Sequence, residues 1–502
     1  MANPLLRTKS VEQSIADTEV VGTRLKKQLT AWDLTIFGVA VVVGAGIFTI
    51  GAKTAGDLAG PAVSVSFVIA AIACGLAALC YAEFASTVPV AGSAYTFSYA
   101  TFGEFAAWII GWDLVLEFSI AAAAVASGWS SYVGTVFHTG APVVEIGGVR
   151  VDWGAMLIVA VLTVLLTFGA KVSSRVSAVI TAIKVAVVLL VIVVGAFYIK
   201  GSNYSPFVPE SVQGEGKSGL KQSLFQFVTD GGGLSYGWYG VLAGASLVFF
   251  SFIGFDIVAT SAEETKNPQR DVPRGIMGSL AIVTVLYIAV TIVVTGMTSY
   301  KELATAAGTG KDKGAAKNLA YAFSLNGVDW AATIISIGAL AGLTTVVMVL
   351  LMGQNRVLFA MARDGLLPRK LAKTSDRGVP VRIAVGVGVV VAVFAGLVPL
   401  DELAELINIG TLFAFVMVSV GVVVLRKRRP DLPRGFRTPL VPLVPILSVI
   451  ACAWLMFNLP LETWVRFLIW MVAGVVVYFL YSKNHSVLGR RERGEVIESL
   501  AD

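Results

Sequence analysis

Charge is scarce in this chain: 14% of its 502 residues are Asp, Glu, Lys or Arg, where a soluble chain carries about a quarter. With 56% hydrophobic residues, that scarcity excludes a water-soluble globular domain and predicts an all-α integral membrane protein. Cysteine is nearly absent. Cys74, Cys80 and Cys452 lie in apolar runs without CxxC spacing, which excludes a disulfide framework and a structural zinc site. Histidine is rarer still, with only His138 and His485, and no HExxH or other metal-ligand cluster is present, so no metal and no cofactor is expected. The first thirty residues are polar and lack an apolar run, so no cleavable signal peptide is expected. Glycine, by contrast, is abundant at 51 residues, as suits membrane helices whose backbones approach closely.

Apolar stretches fall near 31–52, 62–87, 104–131, 153–170, 176–199, 239–261, 276–298, 331–358, 381–398, 402–425, 441–459 and 462–481, which predicts 12 transmembrane helices. The formal charge of +6 would suggest nucleic acid in a soluble protein, but here the placement of the cations matters more. Of the 38 Lys and Arg residues, 27 fall on the side of the termini, which places both termini in the cytoplasm of a multi-pass cell-membrane protein. The run Arg426–Arg429 is read as a stop-transfer anchor on lipid headgroups and not as a nucleic-acid patch.

Two spans carry weak points near the midplane. The first has VVVGAGIF, residues 41–48, about 13 residues into its helix, and the sixth has FFSFIGFD, residues 249–256. A backbone can unwind in lipid only where protein or a water-lined cavity satisfies its polar groups. Breaks in the first and sixth spans fit two inverted halves, each opening with a discontinuous helix. Half-helix N-termini attract a carboxylate and free carbonyls attract an ammonium group, so one small zwitterion satisfies both.

Three ionisable residues lie deep in lipid, where each is expensive. Lys184 sits about 13 Å along its helix from Arg175, too deep to snorkel easily, which makes it a candidate proton carrier or a fixed replacement for a metal cation. Asp256 either holds the sixth-span break by accepting backbone N–H bonds or partners a cation. Glu117 faces a substrate cation or makes an internal helix–helix hydrogen bond; Glu83 is read as interfacial. Among Phe249, Phe250, Phe252 and Phe255, any one of which could cover a ligand, Phe250 is the candidate gate because it precedes the unwound Ser251, and most of them are expected to face lipid. Thr344 and Thr345 are expected to bond back to their own helix.

Enzyme signals fail. GLSYG, residues 233–237, matches a nucleophile elbow but lies in a glycine-rich loop without an expected strand-turn-helix. GEGKS, around Lys217, lacks the first P-loop glycine.

These stretches, with LCYAEFASTVPVAGSAYTFSYATFGEFAAWIIGWDLVLE, SAEETKNPQRDVPRGI and GQNRVLFAMARDGLLP, resemble the amino acid-polyamine-organocation superfamily, most closely the cationic amino acid transporter group, over nearly the whole chain. The resemblance implies a 5+5 inverted-repeat core with discontinuous helices 1 and 6, plus two accessory helices, moving L-amino acids across the cytoplasmic membrane by alternating access. The expected units are a cytoplasmic segment 1–30, repeats 31–200 and 239–425, an extracellular loop 201–238, a basic loop 426–440, accessory spans 441–481 and a tail 482–502. It implies that Val42, Val43, Gly44, Ala45 and Gly46, with Phe250, Ser251 and Ile253, bind substrate, and that Lys184 takes the place of a sodium site. Leu343 aligns with a position facing the substrate side chain, where its bulk favours small neutral cargo over arginine; cationic cargo would need Asp256 or Glu117. Proton symport is the expected mechanism, with obligate exchange, a channel and a membrane sensor as alternatives. The expected partners are the amino acid, protons and membrane lipids. A small accessory subunit, and monomer against homo-oligomer, stay open.

Overall fold

The computed structural model describes residues 7–9, 29–88, 90, 93–137, 142–169, 174–213, 219–305, 317–375 and 379–495. The GEGKS stretch, His138 and most of the N-terminal segment lie outside them.

The chain is mostly helical, as it must be where water cannot satisfy the backbone. The helices that matter are α1 (Ala31–Val42), α2 (Gly51–Thr54), α3 (Val63–Thr87), α4 (Ser93–Thr101), α5 (Glu104–Phe137), α6 (Trp153–Thr167), α7 (Ser174–Ala196), α8 (Gly237–Val248), α9 (Ile257–Thr260), α10 (Pro268–Met297), α11 (Asp329–Arg363), α12 (Val381–Leu397), α13 (Leu400–Arg428), α14 (Leu443–Phe457) and α15 (Leu461–Val477). Among the described residues eight apolar runs are long enough to cross a membrane, and α6, α12 and α14 are shorter apolar helices. The longest run, residues 31–87, is two rods: a 3-10 turn at Gly60–Ala62 separates its first half from α3, and α1 and α3 both pack on α10. Local signals set the starts. Thr30 and Asp33 form a capping box on α1, and Asp152 caps α6 at the Ala155 amide.

Further packing joins α5 to α11 and α13, α12 to α6, and α14 to α13. Two short antiparallel hairpins, Val143–Ile146 with Val149–Asp152 and Val212–Gln213 with Leu234–Ser235, decorate one end. Burial raises the Asp152 carboxyl above its ordinary pKa there.

At the opposite end the basic run also meets oxygens of the protein itself. Arg426 makes a bidentate pair with Glu83 at 2.8 and 2.6 Å, Arg428 donates to the Thr101 carbonyl, and Arg429 pairs with Asp431. Arg434 adds a second contact to Glu83, which is buried beneath the basic loop. Arg426 and Arg428 are taken by oxygens that sequence distance hides, while Arg429 finds its carboxylate two residues on.

Candidate functional site

The first span stops being a regular helix where the glycines begin. α1 ends at Val42, Val43 has a non-helical ψ of 88°, and a π-helical segment starts at Gly46 and runs to Ile50. Three carbonyls near that break receive hydrogen bonds from other helices. Lys184 of α7 donates from Nζ to Ala40 O at 2.5 Å and Val43 O at 3.2 Å, and Tyr287 of α10 donates from its hydroxyl to Val42 O at 2.7 Å. Past the break, Tyr132 of α5 donates to Phe48 O at 2.6 Å. The carbonyl end expected to attract a substrate ammonium is therefore occupied by a lysine ammonium and a hydroxyl of the protein itself.

The sixth span breaks at matching depth. α8 tightens into a 3-10 turn over Phe249–Phe252, Ile253 is extended, Gly254 takes φ of +120°, and α9 restarts the helix at Ile257. Only glycine tolerates that backbone freely. Asp256 Oδ1 accepts the Gly254 N–H at 3.2 Å, so of its two expected roles the structure displays the backbone one.

The two breaks meet. A Cβ placed on Gly46 would run into the Ser251 backbone, and one on Gly254 would come within 2.8 Å of Val41 Cγ1. Leu343 of α11 reaches the same place: a Cβ on Gly128 would lie 3.2 Å from Ala45 Cβ and 4.0 Å from Leu343 Cδ1, while Gly44 faces Val346. Val42, Val43, Gly44, Ala45, Gly46, Phe250, Ser251, Ile253 and Leu343 are all buried, and among the described residues the Ser251 hydroxyl has no partner. In this conformation the breaks are pressed together. A cavity of about 140 Å³ lies on the hairpin side, lined by Lys53, Asp57, Asp401 and Glu405 among others, and reaches Leu247 just before the second break.

Lys184 is wholly buried, its stem against Gly342 and its head on the first break, so it does not snorkel. Glu117 is also buried, its Oε1 unpartnered, with Asp256 and Asp113 as charged neighbours. Phe249, Phe252 and Phe255 turn inward and not to lipid: they pack on Phe415, on Phe67 and Tyr287, and on Tyr81 and Phe415. Among the described residues Phe250 has no such ring partner. Thr344 and Thr345 bond back to Leu340 and Gly342 as expected. The GLSYG stretch does have a strand, Leu234–Ser235, directly ahead of α8, contrary to expectation. Its Ser235 is buried, and His485 sits at the other end on Tyr481.

Sequence reading passed over Tyr287, Tyr132 and Asn408. Asn408 of α13 donates to Ser246 O and Leu247 O, the last turn before the second break. Each is a polar group in an apolar run, the same signal that singled out Lys184.

Comparison with known proteins gives this geometry a family. Residues 29–480 match the amino acid permease family. The chain is 44% identical to the branched-chain amino acid permease BcaP of Bacillus subtilis, over 98% of this chain and all of that protein. It is 42% identical to the methylthioribose transporter of the same organism, over 97% and 99%. It is 30% identical to the vacuolar cationic amino acid transporter 4 of Arabidopsis thaliana, over 97% and 96%. The chain belongs to the amino acid permease family of the amino acid-polyamine-organocation superfamily, and is a multi-pass membrane transporter and not an enzyme.

Proposed function

We propose that this permease is a proton-coupled symporter of L-amino acids with small or branched apolar side chains, working by alternating access in the cell membrane with both termini cytoplasmic. The observation that carries the reading is the contact of two helix breaks, Gly46 against Ser251, deep among apolar helices. Separating them frees the half-helix amides for a carboxylate and backbone oxygens for an ammonium group. Val42, Val43, Gly44, Ala45, Gly46, Phe250, Ser251, Ile253 and Leu343 form the substrate site, and Phe250, free of ring partners, closes over it. The wall contributed by Val42, Val43, Ile253 and Leu343 suits an apolar side chain, in keeping with the relative named for branched-chain amino acids.

Taking the run 31–87 as two passages gives twelve spans. The pairs α3 with α10, α5 with α11 and α6 with α12 are spans two and seven, three and eight, and four and nine. Such pairing is what inverted repeats 31–200 and 239–425 would give, with spans 441–481 as accessories. The cavity beside Asp401 serves as the approach from outside. Lys184 couples the proton by binding or releasing the Ala40 and Val43 carbonyls as the first break opens.

Uptake into proteoliposomes tests the reading, with labelled leucine, isoleucine, valine, alanine, arginine and methylthioribose, with and without an inward proton gradient. Gradient-driven accumulation of apolar amino acids is expected. Accumulation of methylthioribose alone would replace the cargo, as the second relative's name suggests; counterflow without accumulation would make the protein an exchanger.

A further inference from the structure

Where α5 meets α13, a group of buried oxygens has no role in the site described above. Asp113 and Glu117 stand four residues apart on α5, hence on one face. Asp113 is fully buried and, among the described residues, neither its carboxyl oxygens nor Glu117 Oε1 has a hydrogen-bond partner. From α13, Gly410 makes room for Asp113, since a Cβ there would fall 2.8 Å from its Oδ1, and Thr411 lies beside Glu117. Asn408, one turn away, spends its amide nitrogen on the carbonyls before the second break and leaves Oδ1 unpartnered. The cluster is rich in acceptors; the Thr411 hydroxyl is the donor beside Glu117, and none reaches Asp113 among the described residues.

The elements packed against α5 bring no cation to it. On α13, Arg426 pairs with Glu83 and Glu405 accepts from Thr463; on α15, Arg466 pairs with Glu402 and Glu462. On α11, Arg356 pairs with Glu264; on α12, Arg382 donates to Lys370 O; on α4, Tyr95 and Tyr99 bond Asp364 and Glu104. Tyr478, past α15, also bonds Glu104, and α6 has no titratable side chain. The remaining charged neighbour is Asp256, of the same sign. Nor do the described residues include three His, Cys, Asp or Glu side chains grouped to hold a metal ion. Unpaired carboxylates buried among apolar helices resist being ionised together, and a proton supplies the missing donor.

We propose that Asp113 carries a proton, with Glu117 on the same face of α5, a second proton-binding site in addition to Lys184. The proposal rests on the transport reading for its use. Asn408 ties α13 to the carbonyls of Ser246 and Leu247, so a rigid-body shift of this frame against α5 as the first break opens draws Gly410 and Thr411 off the pair and lets water reach it.

Infrared difference spectra of the full-length purified protein over a pH titration give the direct test. Wild type is expected to show a protonated-carboxyl stretch at neutral pH that disappears in Asp113→Asn. In proteoliposomes the same variant is expected to keep counterflow while gradient-driven accumulation drops about tenfold, within the usual range of coupling between sites. An unchanged band or an unchanged uptake pH profile in Asp113→Asn overturns the proposal. Thermal stabilisation by sodium chloride but not choline chloride, lost in Asp113→Asn, also overturns it, because sodium would be the ligand. If Asp113→Asn does not fold, the wild-type spectrum still decides: no protonated-carboxyl band at neutral pH sinks the pair. If no cargo moves at all, the transport reading fails while the spectrum judges this one.

Discussion

The break in the first span keeps backbone bonds of its own, Val43 to Val39 and Phe48 to Gly44, but also draws side-chain donors from other helices, whereas the break in the sixth makes most of its bonds itself. Ala40, Val42 and Val43 offer carbonyls to Lys184 of α7 and Tyr287 of α10. At the second break Ile253 bonds back to Phe250, Ile257 to Gly254, and Asp256 holds the Gly254 amide, while Asn408 reaches in only ahead of the turn. A break secured by distant groups can respond to their charge and position; one secured by its own sequence keeps its shape. The first is thus suited to be the moving, proton-sensitive half of the site, and the second to be its frame.

The largest effect tests the contact that both breaks share. Gly46→Leu puts a side chain where even a Cβ collides with Ser251, so substrate binding and uptake are expected to vanish while the protein still inserts, measured by ligand-dependent melting and proteoliposome uptake. Normal uptake would remove the breaks from the site. Lys184→Ala comes next. It strips two carbonyls of their buried donor and is expected to abolish pH-driven accumulation while leaving some counterflow. Acid-stimulated accumulation equal to wild type would put the proton elsewhere. Gly254→Ala probes the frame: with φ at +120° and Val41 in the way, strain of about 1–3 kcal/mol is expected. It should lower the melting temperature and leave the pH profile of the residual uptake unshifted. A shifted profile would mean that both breaks sense protons.

What sequence could disclose divides along the same line. The breaks are legible because Gly44, Gly46 and Gly254 interrupt apolar runs, and Lys184 because an ammonium in lipid demands a reason. The capping partners are not: Tyr287 lies 245 residues from Val42, and Asn408 lies 162 from Ser246. No helical period says which carbonyl a tyrosine will find. Glu83 and Arg426, 343 residues apart, are the same case, which is why the basic run reads only as a lipid anchor until the fold is known. The phenylalanines beside the second break misled for another reason. Hydrophobicity is the same toward lipid as toward protein, and only packing on Phe415 and Tyr287 separates the two.

The smallest expected effect is the sharpest test of that division of labour. Tyr287→Phe keeps the ring that packs on Phe67 and Phe252 and removes only the hydroxyl on Val42 O. A side-chain hydrogen bond within a membrane protein averages about 0.6 kcal/mol, or about threefold in an equilibrium. If the first break moves during transport, that increment is gained in one conformation and lost in the other. The maximal rate of uptake should then change by about threefold while the melting temperature hardly shifts. If the hydroxyl only braces a static kink, the melting temperature falls and the rate stays put. That second pattern would assign the motion to the sixth span and reverse the comparison.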